Sequence, residues 1–288
     1  MSDTHSVTKT EAADAASAAP GAKPAAPPQK DESFFAFLAW LVLGVLILRS
    51  FIISPFNIPS ESMLPRLLTG DYLFATKWSY GFSKYSLPFS VPLIPGRILA
   101  SQPDRGDVVI FKAPPGNDVD YIKRVIGLPG DEIQMRGGQV WLNGKAIPKV
   151  KVADFIVPVS PNTDCGPGFD STDTGKPGGV PVCRYPQFRE TLPGGKTYTV
   201  LDMGQTPQDD TGVFIVPEDH MFLMGDNRDN SMDSRFPAIE GAGIGIVPQE
   251  NLVGKASVMM FSTDGSSEWI KPWTWFTAAR WSRIGSVI

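Results

Sequence analysis

Three short segments carry residues whose types and spacing can do nucleophilic chemistry. Ser62 lies in Ile58-Pro59-Ser60-Glu61-Ser62-Met63-Leu64-Pro65, a few residues after the most apolar stretch of the chain. Lys123 follows in Asp120-Tyr121-Ile122-Lys123-Arg124, and Ser231 stands in the run from Gly225 to Arg235. A serine hydroxyl attacks a carbonyl only when a neighbouring base takes its proton. Histidine is the usual base, and the chain has 2. His5 sits in an N-terminal stretch without hydrophobic pattern, which leaves His220, in Pro217-Glu218-Asp219-His220, as sole candidate for a Ser-His-Asp triad. A lone histidine beside two acids at a turn reads as a surface residue, and no Gly-x-Ser-x-Gly elbow supports it.

Lysine can replace histidine when it is neutral. Its ordinary pKa of about 10.4 falls by several units when it is buried among apolar groups. Lys123 lies among Tyr121, Ile122, Val125 and Ile126, a stretch that reads as a strand. Facing inward, it would be desolvated as the chemistry requires; taken alone, it would read as an edge lysine facing water. Ser6-Val7-Thr8-Lys9 has a similar pairing of types, but a disordered tail cannot hold a catalytic pair.

The elements that must position these residues follow from composition and pattern. A chain of 288 residues suffices for one large or two ordinary domains. The net charge of −4, without a basic block, gives no reason to expect a nucleic-acid partner. With Gly 28 and Pro 27, short strands joined by turns are favoured over long helices. Residues 1–33 read as a disordered tail rich in Ala, Pro and charge. Residues 34–53 are apolar over just the length that crosses a bilayer, with Arg49 placed to snorkel. A cleavable leader would need an Ala-x-Ala arrangement after that stretch, and Arg49-Ser50-Phe51-Ile52-Ile53 has none. A permanent transmembrane anchor is the expectation. Charges flanking it do not fix its orientation, since Lys23 and Lys30 precede it and Arg49 and Arg66 follow.

From Asp71 onward the pattern is β. Gly106 to Phe111 reads as a buried strand, and Gly137-Gly138 and Asn143-Gly144 mark hairpins around Val140-Trp141-Leu142. Residues 213–216, 221–224 and 256–261 return to strand character. Cys165 and Cys183 flank a stretch rich in Gly, Pro and Asp. If bonded they close a loop stabilised by roughly 3 kcal/mol in an oxidising compartment; otherwise they are two free thiols. Two cysteines without nearby histidines do not complete a zinc site. Near the C-terminus, Trp269, Trp273, Trp275 and Trp281 stand among Lys271, Arg280 and Arg283. That mixture suits a membrane-interface segment, and equally an aromatic segment packed on the domain.

Taken together, the motifs resemble those of bacterial type I signal peptidases, membrane enzymes that remove signal peptides from exported proteins. The resemblance rests on residues 59–67, on Arg105 to Lys112 with Asp120 to Asp131, and on the complete run from Gly225 to Arg235. It departs from the family at Arg66, where a threonine is usual. The resemblance implies Ser62 as nucleophile and Lys123 as general base. Ser60 would help the Ser62 N–H bind the oxyanion, and Ser231 would orient the lysine amine. Gly225 falls where a small residue is kept near the lysine, and Asp233 and Arg235 match a structural ion pair. Phe56, Ile58, Leu67, Leu73, Ile110, Tyr121 and Ile122 match the lining of two shallow pockets that accept Ala-x-Ala, although each is by default simply core.

The implied architecture is mainly β, a signal-peptidase-like fold of coiled antiparallel sheets behind an N-terminal transmembrane helix. Its catalytic core would be residues 54–131 and 218–262, with 132–217 an inserted β subdomain carrying the cysteines and 263–288 a membrane-interface tail. No metal or cofactor is implied. The partners would be signal peptides of exported preproteins and membrane lipid, with the chain monomeric. The location would be the bacterial cytoplasmic membrane, single-pass, with the catalytic domain on its outer, periplasmic face. A self-cleaving repressor-type Ser-Lys protease would instead need a helical DNA-binding domain. An inactive tethered binding module has no use for intact Ser62, Lys123 and Ser231.

Overall fold

The computed structural model describes residues 34–166, 170–171, 179, 181–268 and 270–288. The expected tail over 1–33, with His5 and residues 6–9, and Trp269 lie outside the described residues. Helix α1, Phe34–Ile47, carries no charged side chain and continues through a wider turn to Ile52. The 19 residues Phe34–Ile52 form a helix long and apolar enough to cross a membrane, its side chains almost all exposed. Residues 42–288 make up one compact unit.

The principal sheet of that unit is built from β1 (Ile53–Asn57), β2 (Asp71–Thr76), β3 (Val108–Lys112), β4 (Asp120–Gly127), β5 (His220–Met224), β6 (Val247–Pro248) and β7 (Leu252–Ser262). Its spatial order is β1-β2-β7-β3-β4-β5-β6, with every pairing antiparallel. Strands this rich in Val, Ile and Phe bury both faces. Val109 and Phe111 pack with Val125 and Leu223, while Val108 and Ile110 pack with Leu73 and Ala256. β7 shifts register against both its neighbours, and such irregularities coil a long strand around the core.

Further sheets grow from residues 132–215. Glu132–Arg136 and Gln139–Leu142 pair across Gly137-Gly138, and Leu142 pairs with Lys145 across Asn143-Gly144. All four turn residues have positive φ, which tight two-residue hairpins demand. Lys149–Lys151, Gln187–Thr191 and Thr197–Leu201 make a second small sheet, and Phe155–Pro158 pairs with Val182–Tyr185 in a third. Cys165 and Cys183 are disulfide-bonded. This region is not a separate body: Ile133, Val140 and Val200 share an apolar cluster with Ile126 of β4 and Phe222 and Met224 of β5.

The C-terminal segment divides by residue type. Trp273, Trp275, Phe276 and Trp281 are exposed, whereas the arginines dock on the body. Arg280 donates to the Thr69 carbonyl at 2.9 Å, and Arg283 grips the buried Asp71 carboxylate at 3.0 and 2.5 Å. Thr69 lies in the loop between the Ser62 turn and β2, and Asp71 opens β2, so this segment braces the end of the backbone stretch that carries Ser62.

Candidate active site

Ser62 opens the turn that follows β1, and Lys123 sits mid-strand in β4, where it pairs with Val109 of β3. The fold brings them together across 61 residues: Lys123 Nζ donates to Ser62 Oγ at 2.6 Å. Both are buried, Lys123 at 4% exposed and Ser62 at 9%. Burial pushes the Lys123 amine down to about 8, against the upward pull of Asp233 and Asp226. An amine so depressed is neutral in a substantial fraction of molecules near pH 8, and a neutral amine at this distance can accept a hydroxyl proton.

The run from Gly225 to Arg235 wraps this pair. Asn227 N donates to the Ser62 carbonyl at 3.1 Å, and its Nδ2 donates to the Glu61 carbonyl at 3.2 Å. A Cβ on Gly225 would overlap the Ser231 side chain and lie 2.5 Å from the Ser62 carbonyl oxygen. The loop therefore approaches the Ser62 turn closely because residue 225 has no side chain. Ser231 Oγ is buried against it with no hydrogen-bond partner among the described residues. The hydrogen bond from Ser231 to the lysine amine expected from the sequence is not formed here. Ser60 is exposed, two residues before Ser62.

The charges around the pair are pinned. Asp233 and Arg235 form a fully buried two-point ion pair at 2.9 and 3.0 Å, and Gly225 N donates to Asp233 Oδ2 at 3.0 Å. Burial alone would raise the Asp233 pKa, but the Arg235 charge and these hydrogen bonds hold it below the usual carboxylate range. Arg124 forks onto Asp226 at 2.7 and 2.5 Å. Arg228 forks onto Glu190 at 2.7 and 2.5 Å, and Tyr198 donates to the same carboxylate at 2.8 Å. Each acid near Lys123 thus has its own arginine, which limits how far it can pull the amine back toward its charged form.

Sequence reasoning missed the Arg124–Asp226 and Glu190–Arg228–Tyr198 groups. Arg124 and Asp226 stood inside recognised motifs and signalled themselves only as neighbours of Lys123 and Gly225. Glu190 carried no local signal at all.

Of the expected pocket residues, Ile58, Leu67, Leu73 and Ile110 are buried in one apolar cluster, with Phe56 and Ile122 packed against it. Tyr121 is the exception. It packs with Phe111 in a different cluster, and its ring lies 5.6 Å from Lys123 Nζ. The reason is strand geometry: adjacent residues of β4 face opposite sides of the sheet, so Tyr121 and Ile122 cannot share a pocket. His220, at the start of β5, turns its Nδ1 to the Glu218 carbonyl at 2.7 Å, within its own turn. Among the described residues no His, Cys, Asp and Glu side chains gather as metal ligands.

Comparison with known proteins identifies the family. The model of the family described as signal peptidase, peptidase S26, matches residues 32–261. The chain belongs to this family. It is 40% identical over 238 residues to signal peptidase I of Rickettsia typhi, covering 80% of each chain. It is 39% identical to signal peptidase I of Rickettsia conorii over 234 residues, covering 78% of this chain and 77% of that one. A solved signal peptidase I from Enterococcus faecalis aligns at 24% identity over 55% of this chain and 98% of its own, with a TM-score of 0.27. The fold described above rests on strand pairing and not on that alignment.

Proposed function

We propose that this family member removes signal peptides from exported preproteins by cleaving after Ala-x-Ala, with Ser62 as nucleophile and Lys123 as general base. The observation that carries the reading is the buried 2.6 Å contact between Lys123 Nζ and Ser62 Oγ. Neutral Lys123 takes the Ser62 proton as Oγ attacks the scissile carbonyl. The protonated amine then gives that proton to the leaving amine, and the signal peptide remains as an ester on Ser62. Water, deprotonated by the same lysine, hydrolyses the ester and returns the enzyme. The Ser62 N–H and the Ser60 hydroxyl stabilise the oxyanion, and each such donor is worth about 2.7–4 kcal/mol. Ser231 orients the amine once Ser62 Oγ has passed into the ester. Asp233 and Arg235 hold the Gly225 backbone against the site.

Phe56, Ile58, Leu67, Leu73, Ile110 and Ile122 shape the small apolar subsites, and the backbone of β1 pairs with an extended substrate as an added strand. Residues 34–52 anchor the monomeric chain in the cytoplasmic membrane with the body on its outer face, where the bond between Cys165 and Cys183 is stable. The test is cleavage of a synthetic Ala-x-Ala preprotein peptide by the full chain in detergent. Ser62→Ala and Lys123→Ala should each abolish turnover while circular dichroism stays native, and Ser60→Ala should lower kcat more than it raises KM. Wild-type turnover in either dyad variant overturns the assignment.

A further inference from the structure

A second buried lysine has no task in that mechanism. Lys77, directly after β2, is 4% exposed and makes neither a side-chain hydrogen bond nor an ion pair among the described residues. It lines a cavity of about 710 Å³ together with Leu46, Arg49, Phe89, Lys112, Asp118 and Asp120. Lys112 is occupied, bonded to Asp120 at 3.1 Å and donating to the Asp118 carbonyl at 3.0 Å. Arg49 and Lys77 make no ion pair among the described residues. Asp120, bonded to Lys112, pulls on the Lys77 charge only from a distance, and with Asp118 also in the lining the cavity's three cations still outnumber its two carboxylates.

Its surroundings are apolar on the outside. Leu46 and Arg49 belong to the last turns of the 19-residue apolar helix. On the other side runs the loop after residue 86, where Phe89 is 100% and Leu93 76% exposed. Large apolar side chains held fully open beside a helix long enough to cross a bilayer are suited to lipid rather than water. A buried lysine that faces a cavity and makes no ion pair of its own is suited to an arriving anion. Burial pushes its amine down to about 8, the penalty that such an anion would relieve.

We propose that this cavity binds the phosphate of a membrane phospholipid headgroup, with Lys77 and Arg49 as its cationic contacts and Phe89 and Leu93 among the acyl chains. The inference rests on residues 34–52 spanning the membrane. Arg49, near the end of that helix, then lies at headgroup depth, where anionic lipid phosphates are concentrated. Leu46, one turn earlier, offers the apolar path for the chains. Bound lipid would fix the height of the body over the bilayer, and with it the distance from the membrane to Ser62.

The experiment is calorimetric titration of the full chain, in non-ionic detergent, with monomeric dihexanoyl phosphatidylglycerol. Saturable binding is expected, weakened at least tenfold by Lys77→Met and several-fold by Arg49→Gln. Dihexanoylglycerol, which lacks the phosphate, should not compete. Unchanged binding in a natively folded Lys77→Met protein overturns the site. Inorganic phosphate binding as tightly as the lipid overturns the lipid assignment and makes this a free-anion site. A Lys77→Met protein that binds lipid normally but shows a raised KM for peptide makes it a substrate site, which also overturns the proposal. Flotation with phosphatidylglycerol vesicles tests the anchor separately: wild type and Lys77→Met should both float, and failure of both removes the span while the titration still judges the cavity.

Discussion

Lys123 and Lys77 are two lysines in nearly the same physical state. Each is 4% exposed, and burial pushes each amine down to about 8. They differ in what meets the amine. Lys123 touches the Ser62 hydroxyl at 2.6 Å, inside a shell of carboxylates already claimed by arginines. Lys77 faces a cavity and makes no hydrogen bond to a hydroxyl among the described residues. A depressed pKa therefore marks burial, and a neighbouring acceptor or donor of protons decides whether the burial serves catalysis.

The widest separation should appear in turnover. Lys123→Met is isosteric and uncharged, and should lower kcat/KM for an Ala-x-Ala peptide by roughly 10³-fold or more, as loss of a general base does in comparable dyads and triads. Lys77→Met should stay within about threefold of wild type in detergent, since it touches none of the reacting atoms. Comparable losses in both would mean that the contact with Ser62 is not what distinguishes them.

Gly225 tests the geometry of the catalytic side alone. An added Cβ would strike Ser231 and the Ser62 carbonyl, forcing the loop away from Ser62. Gly225→Ala should lower kcat by about 10²-fold, the usual cost of a displacement near 1 Å, with circular dichroism unchanged. A fully active Gly225→Ala protein would show that the close approach is packing only.

How much of this was legible beforehand differs between the two lysines. Lys123 announced itself because three motifs fell in the right order, and because the scarcity of histidine left serine without its usual partner. Lys77 gave no signal: burial of a lysine just past a strand end depends on the helix turn and the loop that close over it. The same limit hid Glu190–Arg228, whose partners lie 38 residues apart. Tyr121 is a different case, because the two-residue period of β4 already separated it from Ile122 and could have been applied to the sequence. In the C-terminal segment, composition named the residues and could not say that the arginines would dock while the tryptophans stay exposed.

Stability should respond alike at the two sites. A lysine whose folded pKa is about 8 and whose ordinary value is 10.5 binds its proton more weakly in the folded chain. The penalty, about 3 kcal/mol at most, is fully present below pH 8 and vanishes as pH rises toward 10.5. Removing the amine should then stabilise the protein at pH 7. Lys77→Met should gain more than Lys123→Met, which also gives up a hydrogen bond worth about 1 kcal/mol. Denaturant unfolding of both variants at pH 7 and pH 10 checks this, and a destabilised Lys77→Met protein at pH 7 would show that its charge already has a partner.

The smallest difference is the most diagnostic. If Lys123 must be neutral to act, kcat/KM should rise about tenfold per pH unit below 8 and level off above it. Lys77 titrates in the same range, so a pH profile alone cannot tell the two apart. Lys77→Met should leave the midpoint where it is. Asp233→Asn removes a carboxylate that pulls the Lys123 amine upward, and should shift the midpoint down and the alkaline plateau to lower pH. A midpoint that follows Lys77→Met and ignores Asp233→Asn would assign the titration to the cavity and leave Lys123 without its proposed role as base.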